Sequence, residues 1–152
     1  MTSHGLFDKS VLLVDCGSSY FAQLHDAICS LVAAVTVVSV DELDVLEGLG
    51  LFDAVIISGS PKQFVEIDAA YYVNKASCVL DAAIPVLGIC FGHQLLGLCF
   101  GAKVFQERKR TGDELIVLRR QHSLFEGLGD SFVHGGSKTA RGWKRRRFPK
   151  SR

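Results

Sequence analysis

Pro85-Val86-Leu87-Gly88-Ile89-Cys90-Phe91-Gly92-His93-Gln94 is the stretch that decides the fold. An apolar run enters a cysteine with a glycine two residues to either side, and an apolar, helix-like segment leaves it. Strand, reactive side chain, helix is the order of a nucleophile elbow, here with a thiol as the reactive group. The turn is so tight that a Cβ at Gly88 or Gly92 is expected to collide with the adjoining strand or helix. The start of a helix also directs backbone N–H groups at the sulfur, which favours thiolate over thiol. The plainer alternative is a buried structural cysteine in a tight turn, because free cysteine is among the most buried residue types.

Outward from the elbow, short apolar runs alternate with helix-period segments. Strands are predicted over 11–15, 35–40, 53–58 and 85–89. Helices are predicted over 20–33, where Phe21, Leu24, Ile28, Leu31 and Val32 share one face, and over 67–83. Ser18 or Ser19 can cap the first of them. A short acidic helix or turn fits 41–49, and 124–128 reads as a loop or single turn. Residues 91–100 are apolar on nearly every face, so this helix is expected to be buried, with Gly101 ending it. Residues 102–105 and 114–118 are further strand candidates. The alternation argues for an α/β fold with a doubly wound, mostly parallel sheet. In such sheets the site lies beyond the carboxyl ends of the strands. Three loops meet there: 15–19, 58–62 and the elbow at Cys90.

The 152 residues suffice for one domain with a core, and 48% hydrophobic with 22% charged residues is an ordinary globular balance. No apolar run reaches the ~18 residues that span a bilayer, and Met1-Thr2-Ser3-His4-Gly5 lacks the pattern of a signal peptide. Five cysteines without C-x-x-C pairing argue against a disulfide framework or a zinc site and fit a reducing, cytoplasmic setting. No metal or cofactor is expected. Residues 137–152 hold eight basic side chains and no acid, against nine basic and sixteen acidic in the rest. The domain is therefore taken as 1–134, with 135–152 a basic, unstructured tail. Lys144-Arg145-Arg146-Arg147 beside Trp143 and Phe148 is the one segment suited to nucleic acid, although a solvated tail is the simpler reading.

The chain resembles the class I glutamine amidotransferase domains, such as the glutaminase module of GMP synthase. The resemblance is carried by Val11 through Tyr20, Val55-Ile56-Ile57-Ser58-Gly59-Ser60-Pro61, Pro85 through Leu96, Gly101-Ala102-Lys103-Val104 and Ser123-Leu124-Phe125-Glu126-Gly127-Leu128. It implies a flavodoxin-like fold and hydrolysis of the glutamine side-chain amide, with the ammonia passed to a synthetase domain or subunit. By the same resemblance Cys90 is the nucleophile that forms a γ-glutamyl thioester. The N–H groups of Phe91 and Ser60 are the oxyanion donors, and Gly59 and Gln94 contact bound glutamine.

The family usually has glycine where this chain has Ser60, and a loop that needed positive φ there would strain a serine by about 1–2 kcal/mol. The family also uses a downstream His-x-Glu as base and orienter; the 152 residues contain no such segment. None of His4, His25, His93, His122 and His134 sits at that position, and each reads as a surface or structural residue. After Phe132-Val133-His134 the family pattern stops, so the domain is expected to be incomplete or replaced at its C-terminus and its chemistry impaired. A γ-glutamyl peptidase-like hydrolase and a non-catalytic binding protein remain open alternatives.

Overall fold

Four of the apolar runs hydrogen-bond side by side in the computed structural model, which describes residues 7–134 and 137–144. They are β1 (Ser10–Asp15), β2 (Ala34–Ser39), β3 (Ala54–Ile57) and β4 (Val86–Gly88), all parallel, in the order β2-β1-β3-β4. Val11, Leu12, Leu13 and Val14 of β1 pair with Val35–Val38 on one side and Ala54–Ile57 on the other. This central strand is buried on both faces, as a continuous apolar run requires. β2 is equally apolar but lies at the edge, and Val37 is exposed.

Alternation along the strands divides the core. Leu12, Val14, Val55 and Ile57 face one side, where Ala76 and Val79 of α2 (Ala69–Asp81) and Phe91 and Leu95 of α3 (Phe91–Cys99) cover them. Val11 and Leu13 face the other, against Ile28, Phe21 and Leu24 of α1 (Phe21–Cys29). Helices on both faces make the sheet doubly wound, as the alternating pattern predicts. Each fully buried Leu or Val contributes about 1.5–3 kcal/mol.

The ends of the helices have local causes. Asp68 caps α2 by accepting from the N–H groups of Ala70 and Tyr71. Gly101, at φ 76°, ends α3: its N–H donates to the Leu98 carbonyl and that of Ala102 to Gly97, the paired bonds of a Schellman motif. α1 stops at Cys29, short of the expected 33, because the N–H groups of Ala33 and Ala34 donate to the Lys9 carbonyl and draw the chain into β2. Leu31 therefore falls beyond the helix and is exposed. Ser18 does not cap α1 from the N-cap position, which Tyr20 holds; its Oγ accepts from the Tyr20 N–H in a turn just before the helix. The acidic 41–49 segment becomes 3-10 turns over Val40–Val45 and Leu49–Leu51.

The described residues fall into two units, 7–104 with 143–144, and Phe105–Gly142. In the second, β6 (Glu114–Val117) pairs antiparallel with β7 (Ser131–His134), and a 3-10 turn over Ser123–Phe125 lies between them in sequence. β5 (Lys103–Thr111) runs well past the expected 105 and pairs with β8 (Ser137–Lys144). The segment expected to be unstructured from 135 onward thus contains a strand; the rest of that expectation, over 135–136 and 145–152, lies outside the described residues. Among the described residues no helix is long and apolar enough to cross a membrane.

Candidate active site

The elbow is a strained turn held from several directions. Cys90 has φ 51° and ψ −101°. Among the described residues only Ala83 shares a positive φ without being glycine. Such a conformation costs about 1–3 kcal/mol and persists only where its surroundings fix it. Here the Ile89 N–H donates to the Ile57 carbonyl at 2.9 Å. The Gly92 N–H is shared between the carbonyls of Ile89 (2.9 Å) and Ser58 (3.2 Å), and the Gln94 N–H donates to Cys90 O at 3.0 Å. The two glycines have the steric role expected of them. A Cβ on Gly88 would lie 2.5 Å from the Gly92 carbonyl carbon, and one on Gly92 would lie 2.3 Å from the Ile57 oxygen. Neither neighbour can yield, because both are backbone.

Cys90 is exposed and opens onto a cavity of about 580 Å³. The three loops expected at the strand ends converge on it: Ser18 and Tyr20 after β1, with Gln23 behind them on α1, Gly59 and Ser60 after β3, and Cys90 after β4. A Cβ on Gly59 would stand 3.7 Å from the Cys90 Cβ and 3.7 Å from the Ser18 Oγ, so the glycine keeps open the gap between these two side chains. Among the described residues no hydrogen bond uses the N–H of Phe91 or of Ser60. Ser60 is not at positive φ, so the strain that serine would bring to a left-handed loop does not arise. Its Oγ instead accepts from the Lys62 N–H at 3.2 Å.

Not every residue singled out from the sequence reaches the cavity. Gly59, Ser60 and Cys90 line it; the side chains of Phe91 and Gln94 are buried in α3. Among the described residues no histidine lines it. His25 contacts Asp26 and Cys29 on α1, and His122 packs edge-on to Phe125. His4 and the side chain of His134 lie outside the described residues. Ser58 is a residue whose part the sequence did not disclose. Fully buried, it accepts the Cys16 N–H through Oγ at 2.9 Å and donates to the Gly59 carbonyl at 3.1 Å, tying the end of β1 to the loop after β3. A lone serine after an apolar run carries no signal of such a bridge.

Of the other thiols, Cys16 is buried and Cys78 and Cys99 are half-buried. Burial pushes Cys16 up to about 12, and it also raises Cys78 and Cys99. Cys29 is exposed on α1. Among the described residues no group of three His, Cys, Asp or Glu side chains is placed to hold a metal ion.

The sequence profile of the family Glutamine amidotransferase class-I matches residues 12–138. The glutamine-hydrolyzing GMP synthase of Thermomicrobium roseum is 37% identical over 131 residues, covering 81% of this chain and 23% of that protein. Anthranilate synthase component 2 of Thermococcus kodakarensis is 29% identical over 115 residues, covering 76% of this chain and 55% of that protein. The chain thus spans about a quarter of the one relative and about half of the other. A glutamine amidotransferase from Thermotoga maritima superposes with a TM-score of 0.68 at 16% identity, over 91% of this chain and 64% of that one, a likeness of fold. With its profile running from β1 through the elbow and into β8, this chain belongs to the class-I glutamine amidotransferase family.

Proposed function

We propose that these residues form the thiol and oxyanion half of a glutaminase site that releases ammonia from glutamine. The observation that carries this reading is Cys90, exposed at a strained elbow on a cavity whose facing wall is Gly59 and Ser60. In this mechanism the Cys90 thiolate adds to the side-chain carbonyl carbon of glutamine. The oxygen takes up the negative charge and is met by the N–H groups of Phe91 and Ser60, donors worth about 10²–10³ in rate each. The nitrogen takes up the proton that the thiol gave up, the C–N bond breaks and ammonia leaves, and water cleaves the γ-glutamyl thioester to glutamate and the free thiol. Gly59 keeps room for the substrate beside the sulfur. The names of the GMP synthase and anthranilate synthase relatives support a synthetase or synthase partner as recipient of the ammonia.

The slow step of this chain alone is the proton delivered to departing ammonia. Its sequence has no His-x-Glu segment, and no histidine lines the cavity among the described residues. The reading therefore predicts impaired turnover of glutamine but intact acylation by a substrate whose leaving group needs no proton. A γ-glutamyl thiophenyl ester is such a substrate: the Sγ–C bond forms, the C–S bond to the aryl group breaks, and thiophenolate departs. Mixed with excess ester, the chain should release a burst of one thiophenolate per molecule and carry the γ-glutamyl group on the Cys90 peptide. Competition by glutamine supports an amidotransferase site, and competition by γ-glutamyl dipeptides alone supports a peptidase. An equal burst from Cys90→Ala contradicts the assignment.

A further inference from the structure

The two oxyanion donors sit on separate segments, Phe91 on α3 and Ser60 on the loop after β3, so something must hold them in fixed relation. Phe64, at the far end of that loop, stacks its ring on Phe91 at 4.2 Å and 16°. Tyr72 of α2 meets both rings edge-on, at 6.0 Å from Phe64 and 5.4 Å from Phe91, and all three side chains are buried. Lys62 lies between the donor and this cluster and is bonded at both ends. Its backbone N–H donates to the Ser60 Oγ at 3.2 Å, and its ammonium donates to the Tyr72 Oη at 2.9 Å.

We propose that Lys62 and Tyr72 are positioning residues for the oxyanion hole: the Ser60 hydroxyl, the Lys62 side chain and the Tyr72 hydroxyl form one tether that fixes the Ser60 N–H relative to the Phe91 N–H. This rests on the glutaminase reading of Cys90 given above. The tether gives the Ser60 side chain a part that a glycine there would lack. Glycine would leave the loop free to rotate about that residue, whereas the serine hydroxyl gives it a second attachment two residues on. The Tyr72 hydroxyl is also the first cause holding the Lys62 ammonium above its ordinary range, against the opposing effect of burial and ahead of weaker attraction from Asp41. A misplacement of about 1 Å at a reacting centre can lower a rate by about 10², so a loosened donor should register in acylation.

Tyr72→Phe removes only the hydroxyl, and Lys62→Met keeps an unbranched stem while losing the ammonium. Each should slow acylation of Cys90 by the γ-glutamyl thiophenyl ester about tenfold, and the double variant should be no slower than either, since both break one tether. Alkylation of Cys90 by iodoacetamide displaces iodide at a saturated carbon and uses no oxyanion hole, so its rate should stay at the wild-type value. Acylation within about twofold of wild type in both single variants overturns the tether, given that a tenfold loss is about 1.4 kcal/mol. A parallel fall in acylation and alkylation overturns it too, because it would report general loosening of the elbow. A wild-type chain without a burst removes the reading of Cys90 and this inference with it, whereas a wild-type burst with unaffected variants removes this inference alone.

Discussion

Two strands of the parallel sheet run into turns that carry a cysteine, Cys16 after β1 and Cys90 after β4. The first sulfur belongs to a residue only 3% exposed, and the desolvation of its charged form pushes it up to about 12. The second is exposed on the cavity, in a backbone conformation that side chains rarely adopt. Both stand at the carboxyl end of the sheet, so position in the fold does not by itself make a nucleophile. The difference is in the neighbours. Ser58 draws the Cys16 N–H inward, whereas Gly88 and Gly92 let β4, α3 and β3 approach so closely that Cys90 is pushed out into the turn.

The largest effect should come from removing that closeness. Gly92→Ala sets a Cβ 2.3 Å from the Ile57 oxygen, and Gly88→Ala sets one 2.5 Å from Gly92. Each should destabilise by about 3 kcal/mol or more and abolish the acylation burst, since only backbone movement relieves such overlap. Urea unfolding read beside the burst checks both. Gly17, in the turn after Cys16, is the counterpart: nothing lies within 4 Å of a Cβ there, and its φ is 84°. Gly17→Ala should cost only about 1–2 kcal/mol, the strain of the left-handed conformation, and should leave the burst in place. Similar losses at Gly92 and Gly17 would dissolve the distinction between the two turns.

Ser58→Ala should fall between these extremes. It leaves the Cys16 N–H without its acceptor in a buried place, a loss of about 1–3 kcal/mol by urea titration. The smallest effect is one of pH. The Cys16 thiol stays protonated in the fold to about 12, against a usual value of 9.0, so above pH 9 the unfolded chain binds fewer protons than the native one. Stability should therefore fall as pH rises from 9 towards 12, by about 1 kcal/mol at pH 10 from this group. Cys16→Ala should flatten that slope while leaving the slope below pH 8 unchanged; an identical slope in both proteins would mean that this thiol does not titrate as its burial requires.

The elbow was legible in sequence because its requirement is local. Two glycines spaced around a cysteine, with a strand-type run before and a helix-type run after, state a steric condition within five residues. The parallel sheet was legible for a similar reason, since apolar runs such as Val11–Val14 keep no polar face for solvent. What escaped depends on partners distant in sequence. Ser58 meets Cys16 across 42 positions, and Lys62 meets Tyr72 from a loop to a helix, pairings that no periodicity records. The edge position of β2 was hidden for the opposite reason, because Val35 and Val37 read as buried whether or not a further strand follows. The strand over Ser137–Lys144 was hidden by its charge, since Lys and Arg on a strand resemble a solvated tail until the partner strand is known.

The central claim is that one of the five thiols, Cys90, is aimed into the cavity where glutamine is proposed to bind. The direct measurement is reaction of the folded chain with a chloromethyl ketone analogue of glutamine, followed by peptide mapping of all five cysteines with and without glutamine present. The account predicts rapid modification of Cys90, suppressed by glutamine, with the exposed Cys29 slow and indifferent to glutamine and Cys16 unmodified. Equal modification of Cys90 and Cys29, unaffected by glutamine, would contradict it.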